Sequence, residues 1–257
     1  MGSGWLARPV DPPVPKVLPA SGAARRASVI RLATCGRRIP DGHALDGEVS
    51  YRGVVVTSDA QHWDAVYTAR PTADLSWYQA QAAVSMKLIS RVLPDGGSVV
   101  DVGAGASVLA DALINSGCTD ITILDLSTEA LEVVRRRLPS GVGVTLAAID
   151  VLDWRPARTV DVWHDRAVFH FLVNPSDRMA YVQTAQSAVG AGGALVIGTF
   201  AADGPESCSG LPTARYGALE LAAEFAEYFE LQDAEREQHL TPWGAEQPFT
   251  WVVLRRV

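Results

Sequence analysis

Cysteine is scarce in this chain, and long apolar runs are missing. Only three cysteines occur among 257 residues, at Cys35, Cys118 and Cys208, and none forms a closely spaced pair. A disulfide framework or a zinc cluster is therefore not expected, and a reducing cytoplasm is the predicted location. No apolar run reaches the roughly 18 residues that cross a bilayer, and the basic N-terminus lacks the apolar segment of a signal peptide. We expect a cytoplasmic protein without a metal site or a membrane partner.

Positive charge is also in short supply. Lysine and arginine number 22 against 29 aspartates and glutamates, which gives a net charge of -7. Proteins that bind nucleic acids generally neutralise phosphates with basic residues, so no nucleic-acid partner is expected. The hydrophobic share of 48% is ordinary for a globular protein, and the length suits one large α/β domain. The sequence leaves the oligomeric state open.

The first part of the chain, residues 1–55, differs in composition from the rest. Five prolines occur within residues 9–19, and five arginines lie within residues 25–38. No helical or strand period persists there, so this segment is predicted to be disordered or loosely attached. A passive tail and an arm that docks a partner both remain open. The folded domain is predicted to span residues 56–257.

From residue 56 onward, apolar segments with helical and strand character alternate. Alternation of this kind predicts a mainly parallel sheet covered by helices on both faces. The predicted helices are 59–69, 75–93, 108–116, 129–138, 177–189 and 219–228. The predicted strands are 98–102, 121–124, 144–149, 160–163, 194–200, 229–232 and 249–255. Residues 190–193 are expected to form a turn, and residues 239–244 a loop.

A glycine loop directly follows the first predicted strand. Val99–Gly105 runs from an apolar strand into Gly103 and Gly105, after which a helix begins. Glycine allows a tight turn and lets a ligand approach the backbone closely. Asp101, inside the strand, would repel a pyrophosphate but can organise the loop or accept a hydrogen bond from a ligand ammonium group. Ser107 stands where a dinucleotide-binding fingerprint has its third glycine.

Acidic residues end the next two strands. Asp125 lies 20 residues after Gly105, at a spacing typical of a carboxylate that binds ribose hydroxyls. A cap of the following helix is the alternative role for Asp125, although Ser127 suits it better. Leu126 is placed to pack on an adenine, and Asp150 to accept a hydrogen bond from its amino group.

Together these motifs resemble the class I S-adenosylmethionine-dependent methyltransferases, over about residues 58–257. The resemblance implies a Rossmann-like sheet of seven strands, mostly parallel, and S-adenosylmethionine as cofactor. It implies that Asp101, Gly103 and Gly105 hold the amino-acid end of the cofactor, Asp125 its ribose, and Asp150 its adenine. Ala191, where most members have proline, is a small departure.

The segment before the glycine loop resembles a narrower bacterial group. Trp63–Tyr67, followed by Leu75–Gln79, is similar to the "WDxxY … SWYQ" opening of that group. By this resemblance, Tyr67 and Trp77 would enclose the cofactor, with their aromatic faces beside the sulfonium. Core packing is the alternative role for both side chains.

Candidates for acceptor binding and catalysis follow the fourth strand. Ligands of open parallel sheets bind at this edge, and His164, Asp165 and His170 are the candidate catalytic groups there. The alternatives are a structural ion pair between Asp165 and Arg166 and a locally satisfied His170. Arg166 is a candidate substrate residue, and so are two residues of later loops, Arg215 and Trp243.

Several functions remain open for this sequence. A methyltransferase acting on a small molecule is slightly favoured over one acting on a protein side chain. Asp165-Arg166-Ala167 only loosely resembles the acidic-basic-glycine motif of some protein-lysine methyltransferases, because the glycine is missing. A non-catalytic cofactor-binding module is a further alternative. An NAD-dependent oxidoreductase is disfavoured, since its GxGxxG spacing is absent.

Overall fold

The computed structural model describes residues 56–139 and 141–257. The predicted N-terminal arm, residues 1–55, lies outside the described residues. The helices are α1 (Val56–Ala69), α2 (Ala83–Val92), α3 (Leu109–Asn115), α4 (Thr128–Arg137), α5 (Pro175–Ala188) and α6 (Ala218–Phe225). The strands are β1 (Ser98–Val102), β2 (Asp120–Asp125), β3 (Val144–Ala148), β4 (Val160–Arg166), β5 (Val189–Phe200), β6 (Ser207–Cys208), β7 (Leu211–Pro212), β8 (Phe229–Leu240) and β9 (Glu246–Arg256).

Seven of these strands form one sheet in the order β3-β2-β1-β4-β5-β9-β8. The five strands from β3 to β5 are parallel to one another, while β9 pairs antiparallel with both β5 and β8. The short strands β6 and β7 form a separate hairpin. The predicted fold class, a seven-stranded and mostly parallel Rossmann-like sheet, is confirmed.

Each face of the sheet is covered by its own apolar cluster. On one face, α5 and α6 supply buried side chains that include Tyr181, Leu221 and Phe225. On the other face, α2, α3 and α4 bury a second cluster that includes Leu88 and Leu113. Strands buried on both faces explain the continuous apolar runs in the sequence.

Strand register brings the predicted polar residues to one edge. Asp101 of β1 lies opposite His164 of β4, and Val102 lies opposite Asp165. Asp125 ends β2 and pairs with Ala148 of β3. The carboxyl ends of the parallel strands therefore meet at one edge, where open α/β sheets bind their ligands.

The prediction of one helix over residues 75–93 was wrong at its start. Helix α2 begins at Ala83, and residues 75–82 form an irregular strap. The strap is tied down by tertiary hydrogen bonds: Ser76 O accepts from His239 Nε2 at 2.7 Å, and Trp77 O accepts from Arg166 Nη1 at 3.1 Å. The carbonyl groups that a helix would use internally are thus taken by distant side chains.

Two other local predictions were wrong as well. Residues 190–193 belong to β5, where Gly192 has a positive φ of 73° and the pairing with β4 is irregular between Val160 and Val162. Residues 239 and 240 continue β8, which was expected to end at residue 232. Most of β8 is exposed and polar, because it is the edge strand of the sheet, so its apolar signal is weak.

Within residues 56–139 and 141–257, no helix is long and apolar enough to cross a membrane. The same part of the chain contains no group of three or more histidine, cysteine, aspartate or glutamate side chains placed to hold a metal ion.

Candidate functional site

The glycine loop after β1 needs glycine at both positions. Gly103 and Gly105 each have a φ of 56°, in the left-handed region that side chains rarely adopt. A Cβ at Gly103 would lie 2.0 Å from Cγ2 of Val168, and one at Gly105 would lie 2.1 Å from the hydroxyl of Tyr67. Both conformation and close approach therefore exclude a side chain, so the loop forms a cradle of bare backbone.

Asp125 holds this loop in place from the end of β2. Its carboxylate accepts hydrogen bonds from the Gly105 N–H at 2.7 Å and from the Ser127 N–H at 2.7 Å. Burial raises the pKa of Asp125 to about 6, although both hydrogen bonds oppose the shift. Ser127, whose side chain accepts from the Ala130 N–H, is the N-cap of α4. The carboxylate of Asp125 therefore joins the glycine loop to the start of α4.

Helix α1 is attached at the same place. Asp64 accepts hydrogen bonds from the Ser127 hydroxyl at 2.7 Å and from the Glu129 N–H at 3.2 Å. A carboxylate at a helix N-terminus also benefits from the helix dipole. These contacts fix α1, and with it Tyr67, beside the glycine loop.

Aromatic side chains cover the loop. The Tyr67 and Trp77 rings make an edge contact with centroids 6.2 Å apart, and Trp63 contacts Trp77 at 5.9 Å and Phe171 at 5.3 Å. Burial and the nearby Asp125 raise the pKa of the Tyr67 phenol, so it stays protonated at neutral pH. The structure thus brings Tyr67 next to Gly105, with Trp77 packed against Tyr67.

The two residues predicted to contact adenine lie at the neighbouring strand ends. Leu126 follows β2 and is partly buried. Asp150 follows β3, and its carboxylate accepts a hydrogen bond from the Leu152 N–H at 2.8 Å. Backbone pairing of Ile149 N–H with Asp125 O at 3.0 Å keeps these two strand ends together.

His164 belongs to a buried polar chain. Its Nδ1 lies 2.7 Å from Asp101 Oδ1, and its Nε2 lies 2.9 Å from the Ser85 hydroxyl on α2. The order carboxylate, imidazole, hydroxyl is that of hydrolase triads. However, Asp101, His164 and Ser85 are each at most 3% exposed, so a substrate cannot reach the hydroxyl. The arrangement ties α2 to the edge of the sheet where the parallel strands have their carboxyl ends.

Asp165 occupies an equivalent position on the opposite face of the sheet. It accepts hydrogen bonds from the Tyr181 hydroxyl at 2.5 Å and from the N–H groups of Val168 and Phe169 at 2.9 and 3.0 Å. Trp163 Nε1 donates in turn to Tyr181 at 2.8 Å. Burial raises the pKa of Asp165 to about 6. Its carboxylate thus stabilises the turn after β4, in which the Val168 side chain packs against Gly103.

That turn contains a strained alanine. Ala167 has a φ of 72°, and its N–H donates to Gly198 O at 2.8 Å, which holds it there. An L-residue in this left-handed conformation costs roughly 1–2 kcal/mol relative to glycine. The backbone therefore adopts a glycine conformation although the sequence has alanine.

Replacing Ala167 with glycine is expected to stabilise the protein. Glycine relieves the backbone strain of the folded state, but it also raises the conformational entropy of the unfolded chain. The net increase in the free energy of unfolding should be about 1 kcal/mol, which raises Tm by roughly 2–4 °C. Thermal unfolding measures it. Ala180→Gly, in the middle of α5, is the control, and it should lower stability by about 1 kcal/mol. Equal losses in both variants would contradict the strain.

Arg166 and His170 lie on the face of the sheet that carries His164. Arg166 Nη1 donates to Trp77 O, and its guanidinium lies 4.7 Å from the Phe249 ring centroid. His170 accepts a hydrogen bond from the Phe200 N–H at Nδ1, at 3.3 Å. Burial and the charge of Arg166 lower the pKa of His170 to about 3, so its ring is neutral.

The remaining candidate residues lie on the surface. Arg215 donates to Gly204 O at 3.2 Å and pairs with Glu206 at 3.0 Å. Trp243 is 47% exposed in the turn between β8 and β9. Near this turn is an open cleft of about 410 Å³, whose lining includes Tyr78, Gln79, Glu237, His239, Leu240 and Pro242.

Three structural partners were not found from the sequence. Ser85, Tyr181 and Asp64 each complete a buried or interfacial polar contact at this edge. Only Asp64 had a local signal, because it lies between the conspicuous Trp63 and Tyr67. The other two lie in helices whose apolar pattern gives no sign of a polar contact across the sheet.

Comparison with known proteins agrees with this geometry. Residues 99–193, from β1 into β5, match the family model described as a methyltransferase domain. No curated protein sequence matches the chain significantly.

Many solved structures share the fold. An S-adenosylmethionine-dependent methyltransferase from Anabaena variabilis is 15% identical, with a TM-score of 0.62 over 79% of this chain and 95% of that one. The N-methyltransferase NodS from Bradyrhizobium japonicum, in complex with S-adenosylhomocysteine, is 14% identical, with a TM-score of 0.59 over 76% and 98%. The 1,6-didemethyltoxoflavin-N1-methyltransferase of Burkholderia thailandensis is 19% identical, with a TM-score of 0.60 over 85% and 94%.

S-Adenosylmethionine fits the residues at this edge. The backbone cradle at Gly103 and Gly105 would be filled by any Cβ, and the Asp125 carboxylate lies beside it. The family match covers the same cradle and the strands on either side of it. The segment from β1 into β5 therefore matches a methyltransferase domain, and the sheet that contains it has the fold of solved S-adenosylmethionine-dependent methyltransferases.

Proposed function

We propose that the protein transfers the methyl group of S-adenosylmethionine to a small-molecule acceptor. The observation that supports this is the cover over the sheet edge. Helix α1 sets the Tyr67 hydroxyl against Gly105, and Trp77 of the strap of residues 75–82 packs against Tyr67 and Trp63. Enclosure suits a compact acceptor better than a side chain presented on a folded protein. The Burkholderia neighbour, which is named for a small molecule and was solved with it bound, is consistent with this.

The cofactor would be held by residues from three strand ends. Gly103 and Gly105 would offer their backbone to its amino-acid end, and Asp125 would accept hydrogen bonds from the ribose hydroxyls. Leu126 and Asp150 would contact the adenine. Tyr67, which lies beside Gly105, and Trp77, which packs against Tyr67, would enclose the sulfonium.

The residues after β4 support catalysis by alignment and exclusion of water. Asp165 already accepts hydrogen bonds from three donors, and both ring nitrogens of His164 have partners. His170 accepts a hydrogen bond at Nδ1, so the proton of its neutral ring is on Nε2 and it cannot accept another there. We infer that none of these groups is the base. When bound, the cofactor supplies an electrophilic methyl group, and the protein orients the acceptor toward it.

The test combines binding with turnover. S-Adenosylhomocysteine, but not NAD, should raise the Tm of the full chain, since a ligand that binds only the folded state stabilises it. Isotopically labelled methyl from S-adenosylmethionine should then appear in low-molecular-weight acceptors from a metabolite extract. Label found only in protein would favour a protein side chain as acceptor. Binding without any transfer, across varied extracts, would favour a non-catalytic module.

A further inference from the structure

Arg166 has two buried donor groups that the protein itself does not satisfy. Its Nε and Nη2 atoms are inaccessible to solvent and have no hydrogen-bond acceptor among the described residues. Buried donors are nearly always paired, because an unpaired one loses the hydrogen bonds that water would supply. A charged guanidinium costs more to leave in this condition than a neutral donor does. The two unpaired donors of Arg166 therefore need an explanation, and a ligand that supplies the missing acceptors is one.

The carboxylate that acts electrostatically on Arg166, that of Glu237, already has other partners. Glu237 accepts hydrogen bonds from Gln79 Nε2 at 2.8 Å and from Trp251 Nε1 at 2.7 Å. It is close enough to Arg166 to favour the charged guanidinium, yet burial dominates and lowers the pKa of Arg166. No ion pair with Arg166 occurs among the described residues.

The two unpaired atoms lie on one edge of the guanidinium. Nε and Nη2 point their N–H groups in parallel, and this edge matches the two oxygens of a carboxylate. The third nitrogen, Nη1, donates to Trp77 O, and the guanidinium carbon lies over the Phe249 ring, 4.7 Å from its centroid. The guanidinium is thus held in one orientation with its fork unused. A preorganised fork loses little entropy when it binds.

The position of Arg166 suits the acceptor rather than the cofactor. Arg166 ends β4 and contacts Trp77, which contacts Tyr67, which in turn lies on Gly105. A group at Arg166 is therefore separated from the glycine loop by this aromatic pair. Glu237, which lines the open cleft of about 410 Å³, also acts electrostatically on Arg166. The cleft marks a side from which a small molecule could approach.

We propose that the methyl acceptor carries a carboxylate, which binds the Nε and Nη2 edge of Arg166 while the reacting atom faces the cofactor. This inference rests on the proposed function, because it names the substrate class of the same site. The carboxylate would neutralise a buried charge and orient the acceptor, and Arg166 is a binding residue that takes no part in proton transfer.

Matched probes test this without knowledge of the acceptor. Full-length protein saturated with S-adenosylhomocysteine is screened by ligand-observed NMR against a panel of aromatic carboxylates and the corresponding primary amides, such as 1-naphthoate and 1-naphthamide. Affinities of the hits are measured by calorimetry. We expect the carboxylates to bind preferentially. Arg166→Met should weaken their binding about 30-fold or more, because it removes one partner of a buried charge pair.

Two further variants make the result specific. Arg166→Lys keeps the charge but lacks the fork, so its affinity should lie between those of the wild type and Arg166→Met. Arg136→Met removes an exposed arginine of α4, 71% exposed and paired with Glu132, and should leave carboxylate binding unchanged. A rise of Tm with S-adenosylhomocysteine in every variant shows that the fold and the cofactor site are intact.

The outcomes separate this inference from the proposed function. If S-adenosylhomocysteine does not stabilise the wild type, the proposed function fails and the inference fails with it. If it stabilises the wild type, but amides bind as well as carboxylates or no carboxylate binds, only the inference is overturned. Carboxylate binding that survives in Arg166→Met also overturns it.

Discussion

Replacing Asp125 with alanine is expected to weaken the binding of S-adenosylhomocysteine by at least about 100-fold. In the proposed pocket, this carboxylate accepts hydrogen bonds from both ribose hydroxyls, and each charge-assisted bond contributes roughly 1.5–3 kcal/mol. The variant also releases the Gly105 N–H, which Asp125 holds at 2.7 Å, so the glycine loop loses its anchor. Calorimetry with the full-length protein measures the effect.

The same strand offers a matched control. Asp120 begins β2 at the opposite edge of the sheet, where it pairs with Arg158 on the surface. Asp120→Ala removes an identical side chain from the same strand and should leave the affinity unchanged. Similar losses in both variants, or full binding by Asp125→Ala, would show that the cofactor pocket is wrongly placed.

The pH dependence gives a second signature of Asp125. With a pKa of about 6 in the free protein, its carboxylate is ionised at pH 7.5 but about nine-tenths protonated at pH 5. If only the ionised form binds ribose well, affinity should fall about tenfold over that interval. Asp125→Asn should bind weakly and without this dependence. A wild-type affinity that stays constant, or rises toward pH 5, would contradict the assignment.

Stability of the free protein should change in the opposite direction. Asp125 and Asp165 both have a pKa of about 6 when folded, above the ordinary value of 3.8. The folded state therefore binds more protons than the unfolded state between these values, and the stabilisation is lost as pH rises through about 6. The contribution of these two carboxyl groups to the free energy of unfolding should therefore decrease from pH 5 to pH 7. Over the same interval, cofactor binding should become stronger.

Replacing Gly103 with alanine should have a similarly large effect on stability. The φ of 56° penalises any L-side chain by roughly 1–2 kcal/mol, and the new Cβ would lie 2.0 Å from Val168 Cγ2, an overlap that adds about 1–3 kcal/mol. We expect a loss of about 2–4 kcal/mol, which lowers Tm by roughly 5–15 °C. Thermal and urea unfolding measure it.

Two comparisons divide this loss into its parts. Gly117 also has a positive φ, 92°, but a Cβ there meets nothing within 4 Å, so Gly117→Ala should show only the conformational cost of about 1 kcal/mol. Val168→Ala combined with Gly103→Ala removes the overlapping methyl group and should recover part of the loss. Equal losses of stability in Gly103→Ala and Gly117→Ala would mean that the Val168 side chain moves aside at no energetic cost.

Local patterns were enough to predict the central elements of the fold. The apolar strands β1 and β2 and the glycine loop were predicted within a residue or two, because each rests on neighbours in the sequence. Prediction failed where distant parts of the chain supply the partners. The strap of residues 75–82 has helical spacing, but His239 and Arg166 take its carbonyl groups. The exposed strand β8 has little apolar signal and is held by its ladder with β9.

The surroundings of the candidate catalytic residues also depend on distant parts of the chain. His164, Asp165 and His170 look like acid–base groups in the sequence, because their types suit that chemistry at a strand end. Tertiary structure surrounds His164 with Asp101 and Ser85, and Asp165 with Tyr181 and two backbone donors. Which nitrogen or oxygen is already used depends on residues from other elements, and no local pattern contains that information.

By itself, the sequence determined the fold class and predicted that the glycine loop and the acidic strand ends meet at one edge of the sheet. The cofactor was implied only by the resemblance of these motifs to a known family. The fold class and this placement depend on strand periodicity, on glycines that the backbone requires, and on the spacing from Gly105 to Asp125. Only the tertiary structure decided which polar groups form hydrogen bonds within the protein and which remain free to bind a ligand. It leaves the fork of Arg166 unpaired. The reason is physical: hydrogen bonds across the sheet join residues far apart in the chain, whereas periodicity reports only near neighbours.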